Sequence, residues 1–251
     1  MNRITSLTLS PDQAALWFLG QAGYVIQTSD VLLAIDPYLT DSVGAVAPDF
    51  TRAIPVPLEP EELHVDIYIV THDHLDHLDP ETIARYPHKA TTDFVAPRFA
   101  ARKLVALGIP RERITVLDHG ETATVRGVSI TGVFALATGR DVLDTTGYHI
   151  VLPNDRNCYH PSDTAYCSLL LADAPHAEVL LTPINGKMGN LSVEQAIELT
   201  AKVQPRYVMP NHYDLMALNA ENPEYFRYCC QTRRLTAECV ITTIMQPFIW
   251  K

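Results

Sequence analysis

Apolar residues along this chain fall into short runs separated by turn residues. In the first third, Gly or Ser-Asp interrupts three such runs, a pattern that predicts antiparallel β-strands. These runs are AALWFLG at 14–20, YVIQTS at 24–29 and VLLAID at 31–36. A fourth run at 65–70 leads into a histidine-rich loop, after which Asp79-Pro80-Glu81 predicts a helix with Asp79 as its N-cap. The first third is therefore predicted to be mostly β-sheet.

The remaining chain repeats a progression from strands to helices. Residues 97–107 have helical spacing and stop at Gly108, and residues 113–117 are predicted to form a short strand. β-Branched alternation returns between residues 121 and 159, with a hairpin turn at 153–155. The last part alternates strand and helix, and Ser192 with Gln195 makes a capping box. Its predicted elements are 178–184, 192–203, 206–210, 223–235 and 239–250.

Two β-rich halves, each followed by helices, indicate the α/β class. We expect a four-layer αββα sandwich, in which two mixed β-sheets lie face to face and helices cover the outer faces. The 251 residues contain no evident linker, internal repeat or low-complexity segment. A single domain spanning residues 1–251 is therefore expected.

Composition and charge narrow the class of protein further. With 47% hydrophobic and 19% charged residues, the composition is that of a globular protein and not of a disordered or fibrous one. The net charge of −10 argues against long nucleic acids and anionic membranes as partners. No apolar run approaches the roughly 18 residues of a membrane span, so a cytoplasmic location is expected. None of the five cysteines has CxxC spacing, which indicates neither a disulfide framework nor a zinc ribbon.

The loop after the strand at 65–70 contains three imidazoles and a carboxylate within six residues. They are His72, His74, Asp76 and His77, in the pattern HxHxDH. Imidazole nitrogen and carboxylate oxygen together suit Zn²⁺, Mn²⁺ or Fe²⁺. An extended loop can direct His72 and His74 at one ion, and Asp76 and His77 at a neighbouring one. The sequence therefore predicts a site for one or two divalent ions at the end of a strand.

Two later segments place ligand-type residues after apolar runs. Asp163 lies in the segment 159–164, and His212 lies in the segment 209–214. Loops at the ends of strands are positioned by the rigid sheet, so remote segments can meet there. From the sequence pattern alone, a capping or surface role is as reasonable for either residue.

With these motifs together, the chain resembles the metallo-β-lactamase fold superfamily, whose hallmark loop matches His72, His74, Asp76 and His77. Within it, the chain looks most like the L-ascorbate 6-phosphate lactonase family, and this likeness covers nearly the whole chain. The supporting segments are Trp17-Phe18-Leu19-Gly20 with Gly23, the loop 71–77, Gly108-Ile109-Pro110-Arg111-Glu112-Arg113, Tyr159-His160 with Ser162-Asp163, Pro210-Asn211-His212-Tyr213-Asp214 and Gln246-Pro247-Phe248-Ile249-Trp250.

The resemblance implies a specific ligand set. Asp163 would bridge two ions, and His212 would join Asp76 and His77 around one of them. Most members of the superfamily have a further histidine between the hallmark loop and the bridging aspartate, whereas residues 134–140 contain none. The first ion would then be held by His72, His74 and Asp163, and a single-ion enzyme stays an alternative.

The implied activity is a metal-dependent lactonase that opens a sugar-acid lactone through a metal-bound hydroxide. A divalent ion lowers the pKa of its bound water to about 7. Asp76 would orient this water and accept its proton. The candidate catalytic residues are Asp76 and the neighbouring ligand His212. The expected partner is a small anionic metabolite, and a homo-oligomer is left open. The candidate substrate-binding residues are Arg140, Asn185, Lys187, Asn211 and Tyr213.

Two other functions fit the same residues. A phosphodiesterase could use the same ions on cyclic nucleotides or small phosphodiesters. A metal-binding protein without turnover is the second alternative, and the missing histidine favours it.

Overall fold

Two mixed seven-stranded β-sheets form the centre of the protein, in a computed structural model that describes residue 4 and residues 6–251. The first sheet has the spatial order β14-β1-β2-β3-β4-β5-β6. Its strands are β1 (Ala14–Gly20), β2 (Gly23–Gln27), β3 (Leu32–Ile35), β4 (Ile67–Ile69), β5 (Asp93–Ala96), β6 (Ile114–Val116) and β14 (Pro247–Trp250).

The second sheet has the order β13-β12-β11-β10-β9-β8-β7. Its strands are β7 (Thr122–Val125), β8 (Val128–Phe134), β9 (Thr146–Val151), β10 (Asn157–His160), β11 (Val179–Pro183), β12 (Tyr207–Asn211) and β13 (Glu238–Cys239).

Each sheet is antiparallel on one side and parallel on the other. Strands β1 to β3 pair antiparallel, as the turn residues between them predict, and β3 to β6 pair parallel. In the second sheet, β7 to β10 are antiparallel and β10 to β13 are parallel. Because parallel strands end at the same edge, the loops that follow β3, β4, β10 and β12 are available to build one site.

The main apolar core lies between the two sheets. Strands of the first sheet contribute Phe18 and Ile69, and strands of the second contribute Ile150 and Met209, all fully buried. Further apolar clusters lie under the helices on the outer faces, where α3 packs on β5 and β6 and α5 packs on β11. The helices are α1 (Ser42–Val46), α2 (Pro80–Arg85), α3 (Arg98–Ala106), α4 (Ser168–Asp173), α5 (Val193–Val203) and α6 (Pro223–Thr232). The predicted αββα sandwich is confirmed.

Local signals in the sequence correspond to observed caps. The Asp79 carboxylate accepts a hydrogen bond from the backbone N–H of Glu81 at the start of α2. Ser192 and Gln195 make the expected capping box at the start of α5. These contacts satisfy backbone donors that a helix N-terminus otherwise leaves unpaired.

Three local features differ from the sequence-based expectation. The apolar run 239–250 is not one strand: Cys239 ends β13 in the second sheet, and β14 lies in the first. The run is divided because residues 240–246 cross from one sheet to the other, where both ends find pairing partners. Helices α1 and α4 were not predicted, because each is only five or six residues long and too short to show a helical period.

Within the described residues, no helix is both long and apolar enough to cross a membrane.

Candidate metal centre

The loop between β4 and α2 folds its four ligand-type side chains towards one point. A backbone hydrogen bond from His77 N to the His74 carbonyl tightens this loop. Nε2 of His72 lies 3.0 Å from Nδ1 of His74. Nε2 of His77 lies 3.7 Å from Oδ2 of Asp76. His72 therefore pairs with His74, and Asp76 pairs with His77, as their spacing in the loop predicts.

Asp163 and His212 join this cluster from the other sheet. Asp163 follows β10, and its carboxylate lies 3.4 Å from Nε2 of His77 and 3.2 Å from Nε2 of His212. His212 follows β12, and its Nε2 lies 3.5 Å from Oδ2 of Asp76. The structure thus brings together the six residues expected to hold metal, from three remote segments of the chain.

The cluster contains buried polar atoms that have no hydrogen-bond partner. They include Nε2 of His77 and Oδ1 of Asp163, both in almost fully buried side chains. An unpaired polar atom in the interior costs free energy unless a ligand compensates it. Both atoms are good ligands for a divalent cation. The residues present therefore fit a metal ion.

Asp36, at the end of β3, orients two of the histidines. Its carboxylate can only accept, so Nδ1 of His77, at 2.7 Å, must donate to it, which leaves the Nε2 lone pair facing the cluster. The Thr71 hydroxyl donates to the same carboxylate over 2.5 Å and can then accept from Nδ1 of His72 at 3.0 Å. His72 is thereby held with its Nε2 lone pair towards His74.

Asp36 also lies close enough to His72 and His77 to form a ligand triad with them by distance alone. We favour the alternative group of Asp76, His77 and His212, which satisfies the same distance criterion. The oxygens of Asp36 already accept three hydrogen bonds, from Thr71 N, Thr71 Oγ1 and His77 Nδ1. A carboxylate so occupied supports ligands and does not itself face an ion.

Gln21 and Asn190 contact the acidic members of the cluster. Nε2 of Gln21 donates to Oδ2 of Asp76 over 2.6 Å and lies 3.0 Å from Nε2 of His212. Nδ2 of Asn190 donates to Oδ2 of Asp163 over 2.8 Å. Gly189 permits this approach: its φ is +89°, and a Cβ there would lie 2.6 Å from the Thr138 carbonyl oxygen. These amides hold the two carboxylates in position.

Four non-glycine residues around the centre have positive φ. This left-handed conformation is uncommon for residues with a Cβ, and such strain gathers at functional sites. Each of the four lies where a strand gives way to a loop. They are Gln21, Asp36, Ser162 and His212, with φ of 53°, 43°, 65° and 58°.

Burial and mutual charge shift the pKa values of the cluster in opposite directions. Burial alone lowers the pKa of His212, but the Asp163 and Asp76 carboxylates outweigh it and raise that pKa to about 9. For Asp163, burial raises the pKa, and the neighbouring His212 and His77 instead hold it well below its ordinary value. Burial and the nearby His77 lower the pKa of His72. The Asp163 carboxylate is therefore ionised, as a metal ligand must be, and His212 would lose its proton on binding a cation.

The segment that lacks the additional histidine also reaches the centre. Thr138, Gly139 and Asp141 line the cavity beside the cluster. Oδ2 of Asp141 lies 3.5 Å from Nε2 of His74, the nitrogen opposite the one that faces His72. Asp141 therefore contacts the outer side of His74. His160, another histidine near the site, lies 3.1 Å from the Ala22 carbonyl through Nε2 and accepts from Ser162 N through Nδ1.

None of the five predicted substrate-binding residues lines this cavity. Arg140 is exposed, and the Lys187 ammonium donates to the Ala220 carbonyl. Asn185 is buried and donates to the Lys187 carbonyl, which shapes its own loop. Asn211 and Tyr213 are buried as well. Their role in substrate binding stays a prediction.

Sequence reasoning did not single out Gln21, Asp36, Asn190 or Asp141. Asp36 could have been found, because it ends a strand adjacent to the one that precedes the histidine loop. Gln21 lies in the turn between β1 and β2, and nothing in the local pattern indicates that this turn meets His212. The contact depends on a backbone hydrogen bond from His212 N to the Gln21 carbonyl, which joins the two sheets.

Comparison with known proteins identifies the family of this chain. The profile described as "Beta-lactamase superfamily domain" matches residues 15–212, a span that includes all six clustered residues. The chain belongs to the metallo-β-lactamase superfamily.

Individual relatives of this superfamily match along most of their length. A UPF0173 metal-dependent hydrolase of Thermococcus kodakarensis is 30% identical over 239 residues, which cover 92% of this chain and 95% of the relative. A metallo hydrolase from Ignicoccus hospitalis has a TM-score of 0.76 at 21% identity, and the match covers 95% of this chain and 99% of that one. An isothiocyanate hydrolase from Delia radicum gut bacteria has a TM-score of 0.75 at 18% identity, with 93% and 98% covered. The chain is a metal-dependent hydrolase of this superfamily; its metal and substrate are separate questions.

Proposed function

We propose that this superfamily member hydrolyses the carbonyl–oxygen bond of a lactone or a related ester. The observation that supports the proposal is the convergence of Asp76, His77, Asp163 and His212, with unpartnered ligand atoms, at one end of an open cavity. No serine or cysteine nucleophile is required, because a divalent cation supplies a water of lowered pKa and polarises a carbonyl.

The chain's own residues divide the remaining work. His72 and His74 would hold one side of the centre, and Asp76, His77 and His212 the other, with Asp163 beside His77 and His212. Asp36 and Thr71 keep two imidazoles in the tautomer that directs a lone pair inward. Asp76 keeps a small exposed fraction that faces the cavity, so its carboxylate can orient the attacking water and accept its proton.

Lactone opening balances without any further reactant. The water oxygen forms a new bond to the acyl carbon. The bond between the acyl carbon and the ring oxygen breaks, and its electron pair stays on the ring oxygen. That oxygen takes up the proton that Asp76 accepted, and the product is a hydroxy acid. A lone acid–base residue is sufficient because one proton is moved.

The proposed substrate has the lactone carbonyl but lacks the phosphate that the resemblance implied. Among the described residues, no Lys or Arg lines the cavity. A buried phosphate without a paired cation would be costly. The L-ascorbate 6-phosphate-like substrate is therefore less well matched to this cavity than an uncharged lactone.

A substrate panel on metal-reconstituted protein tests the proposal. We expect turnover of simple lactones with Zn²⁺ or Mn²⁺, and little turnover of bis-p-nitrophenyl phosphate. His74→Ala removes a cluster nitrogen and should lower kcat/KM by more than about a hundredfold. His64→Ala is the matched control, since this exposed imidazole stacks on His88 and lies outside the cluster.

The outcomes separate the alternatives. Turnover of the phosphodiester but not of lactones would favour the phosphodiesterase. Tight metal binding without turnover of either class would favour the non-catalytic metal-binding protein. Full activity in His74→Ala would contradict the metal mechanism itself.

A further inference from the structure

The cavity beside the metal centre has a volume of about 570 Å³, within the range of small-molecule sites. His74, Asp76, Asp163 and His212 form its polar end. Most of the remaining wall is apolar and comes from separate parts of the chain. The apolar lining includes Val43, Val46, Phe50, Leu75, Met188 and Met216.

The apolar residues of this wall do not serve only to fill the protein core. Helix α1 has no buried residue, and its Val46 side chain is 70% exposed. Met188, which also lines the cavity, is 55% exposed. Single exposed apolar residues are ordinary, but several that line one concave surface next to a reactive centre are typical of a ligand site.

The apolar wall is backed by packed side chains. Val43 and Phe50 pack against a small buried cluster of Tyr38, Leu215 and Met216. Ala53 N donates to the Leu215 carbonyl, which fixes the segment after α1 to the loop that follows β12. The wall therefore has a defined shape before any ligand binds.

Three cations that flank the cavity lining contact other groups of the protein. The Arg52 guanidinium donates to the Tyr38 and Ile54 carbonyls and lies over the Tyr38 ring. The Lys103 ammonium pairs with Asp73 at 2.6 Å. Lys187 donates to a carbonyl. These three cations already contact groups of the protein, and Arg140, between the lining residues Gly139 and Asp141, is exposed and does not itself line the cavity.

Apart from the imidazoles of the candidate metal centre, the charged groups in the described lining are acidic. Asp76 and Asp163 belong to the metal centre, whereas Asp141 stands at the rim with 77% of its side chain exposed. An anionic ligand would meet Asp141 without any Lys or Arg in the described lining to balance it. An uncharged ligand meets no such repulsion, and an apolar chain on it would be removed from water by the wall.

We infer that the cavity selects an uncharged lactone or ester that bears an apolar chain, with the chain against α1 and Met188 and the carbonyl at the metal centre. This inference rests on the proposed function for its reacting group. The apolar chain is recognised by the wall alone, so the two claims can be tested apart.

A chain-length series measures the contribution of the wall. We expect kcat/KM to rise by about fourfold for each added methylene from γ-butyrolactone through γ-hexalactone and γ-octalactone until the cavity is filled. A phosphorylated lactone, 6-phosphogluconolactone, should be turned over at least tenfold less efficiently than γ-octalactone. A flat series, or a preference for the phosphorylated lactone, would overturn the inference and leave lactone hydrolysis intact.

One substitution places a charge in the wall. Val46→Lys should reduce the ratio of kcat/KM for γ-octalactone to that for γ-butyrolactone by at least tenfold. Val105→Lys is its matched control, because Val105 is also an exposed helical valine, 44% exposed on α3, and does not line the cavity. Equal ratios in the two variants would count against the assigned wall.

A binding measurement gives a readout independent of turnover. The uncharged dye 1-N-phenylnaphthylamine should gain fluorescence with the metal-loaded protein and be displaced by 1-decanol at lower concentration than by 1-hexanol. Val46→Lys should weaken both effects, and Val105→Lys should not. If these results hold while no lactone is hydrolysed, the proposed reaction fails and the apolar site stands; if the dye does not bind, the apolar site is overturned.

Discussion

At the scale of single residues, Gln21 places an uncharged donor beside the acceptors of the centre. Its Nε2 reaches both Asp76 and His212, while its Oε1 has no hydrogen-bond partner. The residue is fully buried and holds a positive φ, so its side chain has little freedom to move away. Gln21 is therefore a positioning residue for the carboxylate expected to accept the proton of the attacking water.

Replacing this amide by an apolar side chain of similar length tests the role. We predict that Gln21→Met lowers the affinity for the divalent metal by about tenfold, the usual effect of losing a group that orients a ligand. Metal affinity is measured by competition with a chromophoric chelator, and kcat and KM are measured separately at saturating metal.

The control for this variant lies on the same hairpin. Gln27→Met removes a hydrogen bond to the Leu7 carbonyl, away from the centre, and should leave metal affinity unchanged. If both variants lose stability equally and neither changes metal affinity, Gln21 has only a structural role.

At the scale of secondary-structure elements, Asp93 connects the two sheets near the edges formed by β6 and β7. It begins β5, and its carboxylate accepts from Arg113 at 3.0 Å and from Arg126 at 2.5 Å. Arg126 lies in the turn between β7 and β8 of the second sheet. Burial raises the pKa of Asp93, but the hydrogen bonds from the two guanidinium groups outweigh it and hold that pKa below its ordinary value.

The pH dependence of stability follows from this direction. Because the folded-state pKa is lowered, the stabilisation is fully present above the unfolded-state value of about 3.9 and is lost as the pH falls through the folded-state value. We predict that Asp93→Asn costs about 1 kcal/mol at pH 7, in the range of a partly exposed ion pair. Urea unfolding at pH 7 and at a pH below the folded-state pKa of Asp93 measures this cost; a cost that persists at the lower pH would contradict the ionic origin.

Elements with a strong local signal were predictable, and those defined by contacts between sheets were not. The hairpin strands and the caps at Asp79 and Ser192 depend on neighbours in sequence, so propensity and turn residues determine them. The division of the run 239–250 depends on which sheet offers a free edge, and no local pattern contains that information. The same holds in the site: the histidine loop is a local motif, whereas Gln21 and Asn190 reach it only through tertiary packing.

At the scale of the whole molecule, the metal centre joins the two halves of the sandwich. The loop after β4 comes from the first sheet, and Asp163 and His212 come from the second. Nε2 of His77 and Oδ1 of Asp163 are buried without hydrogen-bond partners. An ion that these atoms bind in the folded state, and that the unfolded chain binds far more weakly, must stabilise folding.

The stabilisation of the folded state by a bound ion has a predictable size. A ligand at 100 times its dissociation constant stabilises the folded state by about 2.7 kcal/mol. For a domain of this size, each kcal/mol raises the melting temperature by about 2–4 °C, so chelator-stripped protein should gain roughly 5–10 °C with saturating Zn²⁺ or Mn²⁺. Asp163→Asn, which weakens the link between the sheets, should show less than about a third of that gain, and His64→Ala should show all of it. An equal gain in Asp163→Asn would mean that the stabilising ion binds elsewhere, whereas no gain in the parent protein with either ion would contradict metal binding at this centre.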